Sequence, residues 1–140
     1  MIKLEGKVWK SNKGKYWIAY IEFLDINTQG ISERDSLAMI KDAIESLINK
    51  KGFKITIKSI DGHKFSIGSS DTKTWLGFIL QRLRMKAGLT IEEVARRMGS
   101  TSKNAYARYE HGKTIPGLDK LSQILEAIES KSETILKIAA

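Results

Sequence analysis

Between Lys73 and Lys113 the sequence places nine basic side chains, Lys73, Arg82, Arg84, Lys86, Arg96, Arg97, Lys103, Arg108 and Lys113, against the acids Glu92, Glu93 and Glu110. Ammonium and guanidinium groups at this density neutralise phosphates, so the chemistry favoured here is attraction of an anionic partner such as nucleic acid. The whole chain carries the same sign, with 24 Lys+Arg against 16 Asp+Glu and a formal charge of +8 over 140 residues. Bond-breaking chemistry has less to work with. Cysteine is absent and the histidines are His63 and His111, so neither a disulfide framework nor a Cys/His zinc site can be built. Glu22 and Asp25 are candidate paired carboxylates at a strand end, but two-metal hydrolysis needs several acids converging on its ions. The remaining upstream acids belong to the solvent side of a helix. No Ser/His/Asp triad, Walker loop or H-E-x-x-H motif occurs. The expectation is a non-enzyme with no catalytic residues, no metal and no cofactor.

The elements that must position these side chains divide near "SSDTK", residues 69–73, where strand-like alternation gives way to helical period. Two small domains are expected, residues 1–70 and 71–140. An apolar fraction of 41% with 29% charged residues is ordinary for a globular chain. No apolar run has spanning length, and "MIKLEGKVWK" carries charges where a signal peptide would be apolar. A cytoplasmic protein with no membrane partner is expected.

Downstream, "WLGFILQRLRMKAG" puts Leu76, Ile79, Leu80 and Leu83 on one helical face. In "LTIEEVARRMG", Thr90 reads as an N-cap with Glu93 as its capping-box partner and a Leu89 to Val94 hydrophobic staple. Gly99 ends this second helix after about nine residues. Ser102 or Thr101 then caps a third short helix, which Gly112 stops with a left-handed residue and Pro116 keeps from resuming. A helix entering the major groove of DNA needs only two or three turns, because its first turns and one face touch the bases.

In "LQRLRMKAGLTIEEVARRMG" and "YEHGKTIP", residues 76–128 resemble a helix-turn-helix of the Xre/Cro type. The resemblance implies base reading from the start of the third helix and one turn later, at Lys103, Asn104 and Arg108, with Thr101, Ser102 and Lys113 as further DNA contacts. Arg and Lys suit guanine O6/N7, and Asn suits adenine N6/N7. It also implies a structural ion pair between Arg84 and Glu110. Two departures stand out. Ile91 occupies the position where the family commonly has a phosphate-contacting glutamine, and the turn before the third helix is one residue longer than usual.

Upstream, the pattern is α+β. "IKLEGKVW" alternates, and "YWIAYIEFL" is apolar on both faces, as a strand covered twice would be. A short third strand falls at "NTQG". A helix follows, N-capped by Ser32 and stopped by Gly52, with Leu37, Ile40, Ile44, Leu47 and Ile48 as its apolar stripe. "FKITIKSI" and "KFSIG" form a hairpin around "DGH". The stretch "YWIAYIEFLDINTQGISERDSLAMIKDAIESLI" resembles the antitoxin domain of HicB, with Tyr16, Trp17, Ala19 and Tyr20 in the strand and Thr28, Gln29 and Gly30 in a turn. This implies a small antiparallel sheet with one packed helix, a partial RNase H fold. Such proteins bind and block a small mRNA-cleaving toxin, HicA, through this domain, and repress their own operon through the other. The partner surface is expected at Tyr16, Ile18, Tyr20 and Glu22. Residues 1–70 hold twelve Lys+Arg against eight Asp+Glu, so a basic toxin requires either local clustering of acids or steric inhibition.

The expected protein is therefore a homodimer or higher oligomer that binds palindromic operator DNA and a HicA-type toxin. The second reading is a free-standing dimeric regulator whose N-terminal domain senses a ligand or dimerises. The third is a nuclease, live or degenerate.

Overall fold

The structure, a computed structural model, describes residues 1–100 and 102–131. Strands β1 (Lys3–Lys10), β2 (Trp17–Ile21), β3 (Ile26–Gly30), β4 (Thr56–Ser59) and β5 (Lys64–Gly68) form one antiparallel sheet in the order β3-β2-β1-β5-β4. A 3-10 turn, Glu22–Leu24, links β2 to β3 and closes on Asp25 in the left-handed region. Helix α1 (Glu33–Ile48) lies between β3 and β4. Helices α2 (Thr72–Lys86), α3 (Ile91–Arg97), α4 (Lys103–Glu110) and α5 (Leu118–Ile128) follow the sheet. Among the described residues no helix is long and apolar enough to cross a membrane.

Alternation along the strands sends Val8, Ala19, Ile21, Ile26, Phe65 and Ile67 to one face, where they are buried together. Gly6 stands directly across from Phe65 in the ladder, and the Phe65 ring fills the space where a Cβ on Gly6 would sit. Ile40 and Ile44 of α1 close over this face, with Leu37 and Ile48 at its margin. Leu47 departs from the expected stripe and stays exposed. The start of α1 is set by Ser32, whose hydroxyl accepts from the Asp35 amide. Its end is Asn49 in the left-handed region, three residues before Gly52, so the stop is local to Asn49.

Two further corrections concern the same region. Thr28, Gln29 and Gly30 are not a turn: they belong to the short third strand expected at "NTQG" and pair with Ala19, Ile18 and Trp17, in that order, as the edge strand β3. The strand "YWIAYIEFL" stops at Ile21, and β2 has helices on one face only.

Helix α2 belongs to two cores at once. Trp75, Phe78 and Ile79 join the buried sheet face, while Leu76 and Leu80 join Val94, Ala95, Tyr106, Ile124 and Ile128. The expected single face of Leu76, Ile79, Leu80 and Leu83 is thus split, with Leu83 packed against both clusters. Trp75 stacks on Phe78 at 6.1 Å between ring centroids, and its indole N–H donates to the Ile2 carbonyl at 3.0 Å. The cover supplied by the downstream half therefore goes to the face α1 already shares. The opposite face, bearing Trp9, Ile18 and Tyr20, carries no helix among the described residues.

Candidate nucleic-acid interface

Helix α3 starts as its sequence dictates. The Thr90 hydroxyl accepts from the Glu93 amide at 3.1 Å, and the Glu93 carboxylate accepts from the Thr90 amide at 2.7 Å. That backbone bond is the main reason the Glu93 carboxyl is held below its ordinary value. With Glu92 and Glu93 in its first turn, this helix start repels phosphate. Helix α4 is different. Ser102 caps it, its hydroxyl accepting from the Asn104 amide at 3.3 Å, and no acid stands in the first turn. Its amide end stays positive.

Gly77 is where α4 meets α2. A Cβ there would lie 2.5 Å from the Glu110 carbonyl oxygen, so only glycine permits this approach. Next to that contact is a buried polar cluster. Arg84 donates from Nε to Glu110 Oε1 at 2.5 Å, from Nη2 to Oε2 at 3.1 Å and from Nη1 to the Leu89 carbonyl at 2.8 Å. The Tyr106 hydroxyl donates to Glu110 Oε1 at 2.6 Å. Side-chain exposure is 14% for Arg84 and 2% for Glu110. The Glu110 hydrogen bond raises the Arg84 pKa above its already high value, and burial, then the Glu110 hydrogen bond, push the Tyr106 phenol upward. The cluster fixes the far end of α4 to α2, and leaves the other face of α4 outward.

On that outward face stand Asn104 and Arg108, one helical turn apart and both exposed. Lys103 is exposed too but turned toward α3, its ammonium 3.0 Å from Glu92. With 60% and 66% side-chain exposure, such a pair is worth about 0–1 kcal/mol, so a phosphate can take Lys103 from it. Ser102 spends its hydroxyl on the cap, and Lys113 is exposed in the turn after α4. Thr101 lies outside the described residues. Residues 80–138 match the helix-turn-helix family model. The match supports a DNA-binding transcriptional regulator, with α3 and α4 as the two helices of the motif. No curated protein matches the chain.

Several cations of the basic segment do structural work in and around this helix-turn-helix. Arg82 donates to the Leu24 and Asp25 carbonyls, each at 3.1 Å, and Lys86 donates to the Glu22 carbonyl at 2.9 Å. These bonds fasten the 3-10 turn of the sheet to α2. Arg97 donates to the Ala127 carbonyl and holds α5. Among the described residues Lys73, Arg96, Arg108 and Lys113 make no side-chain hydrogen bond or ion pair. Reading the sequence missed Tyr106 as a polar partner, although a tyrosine four residues before a buried glutamate is the spacing that brings the two together.

The expected partner surface is spread over one corner of the sheet. Ile18 and Tyr20 project half-buried from the uncovered face, Tyr16 precedes them and is exposed, and Glu22 lies in the turn 4.0 Å from Lys7. The Tyr20 hydroxyl donates to Asp25 at 3.4 Å. Three of the other upstream acids are spent locally: Asp35 accepts from the Ile31 amide, Glu33 from the Ser59 hydroxyl, and Glu45 from the Ile55 amide. Among the described residues no group of three or more potential metal ligands converges.

Proposed function

We propose that the chain is a homodimeric repressor that reads a palindromic operator with α4. Asn104 and Arg108 contact base edges, while Lys103, Lys113 and the capped start of α4 meet phosphates, together with Thr101 and Ser102. The observation that carries this reading is the Arg84–Glu110–Tyr106 cluster. It clamps a short helix by its inner face and leaves a basic, acid-free start and an amide–guanidinium pair outward. A dimer places two such helices in successive major grooves, so half-site centres should lie about 34 Å apart. Selection from a random duplex pool by the full chain tests this. Enrichment of palindromes with that spacing supports it, and enrichment of single or unspaced sites counts against it.

The finer reading is a HicB-type antitoxin, its sheet unit a partial RNase H fold that binds and neutralises an mRNA-cleaving HicA-type toxin while the helix-turn-helix represses the operon. The strand, edge strand and helix of residues 16–48, together with a sheet face left without a helix, support it. The toxin would meet the corner formed by Tyr16, Ile18, Tyr20 and Glu22. Because the acids do not gather there, blocking is steric. We read the sheet unit as non-catalytic, since the carboxylates of Glu22 and Asp25 face Lys7 and Tyr20. Co-expression of the full chain with a small basic protein of the HicA type, where one is encoded beside it, tests the reading. Co-purification and growth rescue, both weakened by Tyr20→Ala, are expected; a folded chain that neither binds nor rescues contradicts it and leaves the free-standing regulator. A cleft of about 270 Å³ between the 3-10 turn, α2 and α5, lined by Phe23, Leu83, Leu125 and Ile128, is the observation that favours a ligand-sensing regulator. Its volume falls just below that of usual ligand pockets.

A further inference from the structure

The uncovered sheet face has an order that folding does not require. The register sets Tyr20, Lys7 and Lys64 side by side across β2, β1 and β5, and Lys58 stands one row on, beside Ser66. Like charges directly opposed across a ladder are destabilising, and the acids beside this pair do not offset it: Glu22, 4.0 Å from Lys7, is largely exposed, and Glu5, two residues before Lys7 on the same face, is exposed in the row of Ser66 and Lys58. Trp9 is 39% exposed on the same face. It lies diagonal to Tyr20, about 7–8 Å away by strand geometry. An aromatic pair beside lysines on an open sheet face is the combination that holds single strands, the rings stacking bases while the cations follow the backbone.

We propose that this face binds single-stranded RNA, with bases on Trp9 and Tyr20 and phosphates along Lys7, Lys64 and Lys58. Charge decides against the other occupants. A second copy would set these lysines against their own images, and a basic toxin at the Tyr16–Glu22 corner gains nothing from them and shares only the Tyr20 edge of the face. An acidic peptide satisfies the lysines but leaves the exposed Trp9 without a stacking partner. RNA is preferred to DNA because Asn27 and Gln29 of the neighbouring edge strand are exposed in the rows of Tyr20 and Ile18, where amides can meet 2′-hydroxyls. The proposal goes beyond the antitoxin reading and is tested on the chain alone; because both readings use Tyr20, a bound toxin and RNA exclude each other at that edge.

The test is titration of the full-length protein with a fluorescein-labelled twelve-residue oligouridylate, followed by anisotropy at several salt concentrations and by ¹⁵N indole resonances. The Trp9 indole signal should shift while the buried Trp75 signal stays. Trp9→Ala should weaken binding about ten-fold or more. Lys7→Thr with Lys64→Thr should reduce the slope of log affinity against log salt by about 1.4, the loss of two phosphate contacts. Both sites are exposed, and an unchanged circular-dichroism melt verifies each variant's fold. Binding that leaves the Trp9 resonance unmoved, that survives both variants, or that is absent overturns the proposal. Equal affinity for the oligodeoxyuridylate of the same length overturns the assignment to RNA.

Discussion

Tyr106 lies one helical turn before Glu110, and the two residues differ in what their removal leaves behind. Glu110→Ala strands the Arg84 guanidinium and the Tyr106 hydroxyl in a shielded site, where breaking a buried pair from one side costs about 3–5 kcal/mol. Tyr106→Phe removes one donor from a carboxylate that keeps Arg84, a loss of about 1.5–3 kcal/mol as for other hydrogen bonds to charge. Thermal melts should therefore rank wild type above Tyr106→Phe and Tyr106→Phe above Glu110→Ala; coincident melts for Glu110→Ala and wild type would remove the cluster from the account. The Arg84–Glu110 pair could be read from the sequence because both residues fall inside a recognisable motif. The work of Arg82 and Lys86 could not. Their acceptors are main-chain carbonyls of a 3-10 turn, presented by backbone geometry and not by side-chain type.

At the scale of the element, the helix starts were the most legible features, since a cap is a local bond between residues three apart. Thr90 with Glu93, and Ser32 with Asp35, both form such bonds. Strand ends were less so. "YWIAYIEFL" is apolar throughout, but Asp25 takes the left-handed conformation and turns the chain early, so "NTQG" becomes an edge strand. Gly77 is the clearest case of an element shaped by its neighbour. An alanine in an open helix gains about 1 kcal/mol over glycine, which would make Gly77→Ala stabilising if α2 stood alone. Here the added methyl meets the Tyr109 and Glu110 carbonyls, which are backbone and cannot swing aside. The clash, about 1–3 kcal/mol, outweighs the gain. Gly77→Ala should lower the melting temperature and weaken DNA binding together, because the same contact seats α4; a rise in melting temperature would contradict this packing.

Over the whole molecule α2 is the shared part, with Trp75 in one core and Leu80 in the other. That division of one helix was not legible, because both faces of α2 are apolar and periodicity cannot say which core each serves. Its start is tied to the sheet unit by Lys50, which donates to Asp71 at 2.7 Å and to Thr74 at 2.7 Å. The Lys50 hydrogen bond, more than any other contact, holds the Asp71 carboxyl below its ordinary 3.8. A depressed carboxylate stabilises the fold fully above its unfolded value and loses that contribution as pH falls through its folded value. Asp71→Asn should therefore flatten the acid limb of the stability profile below pH 3.8 and lower stability at neutral pH; an unchanged acid limb would assign the acid sensitivity to other carboxylates. The central claim is that α4 reads DNA through its outward face, and Arg108 tests it most directly. On operators enriched by the wild-type chain, Arg108→Ala should cost about 1–3 kcal/mol in affinity and relax preference at one base position of each half-site, with its melt unchanged. Equal affinity and an identical sequence preference would contradict the reading of α4.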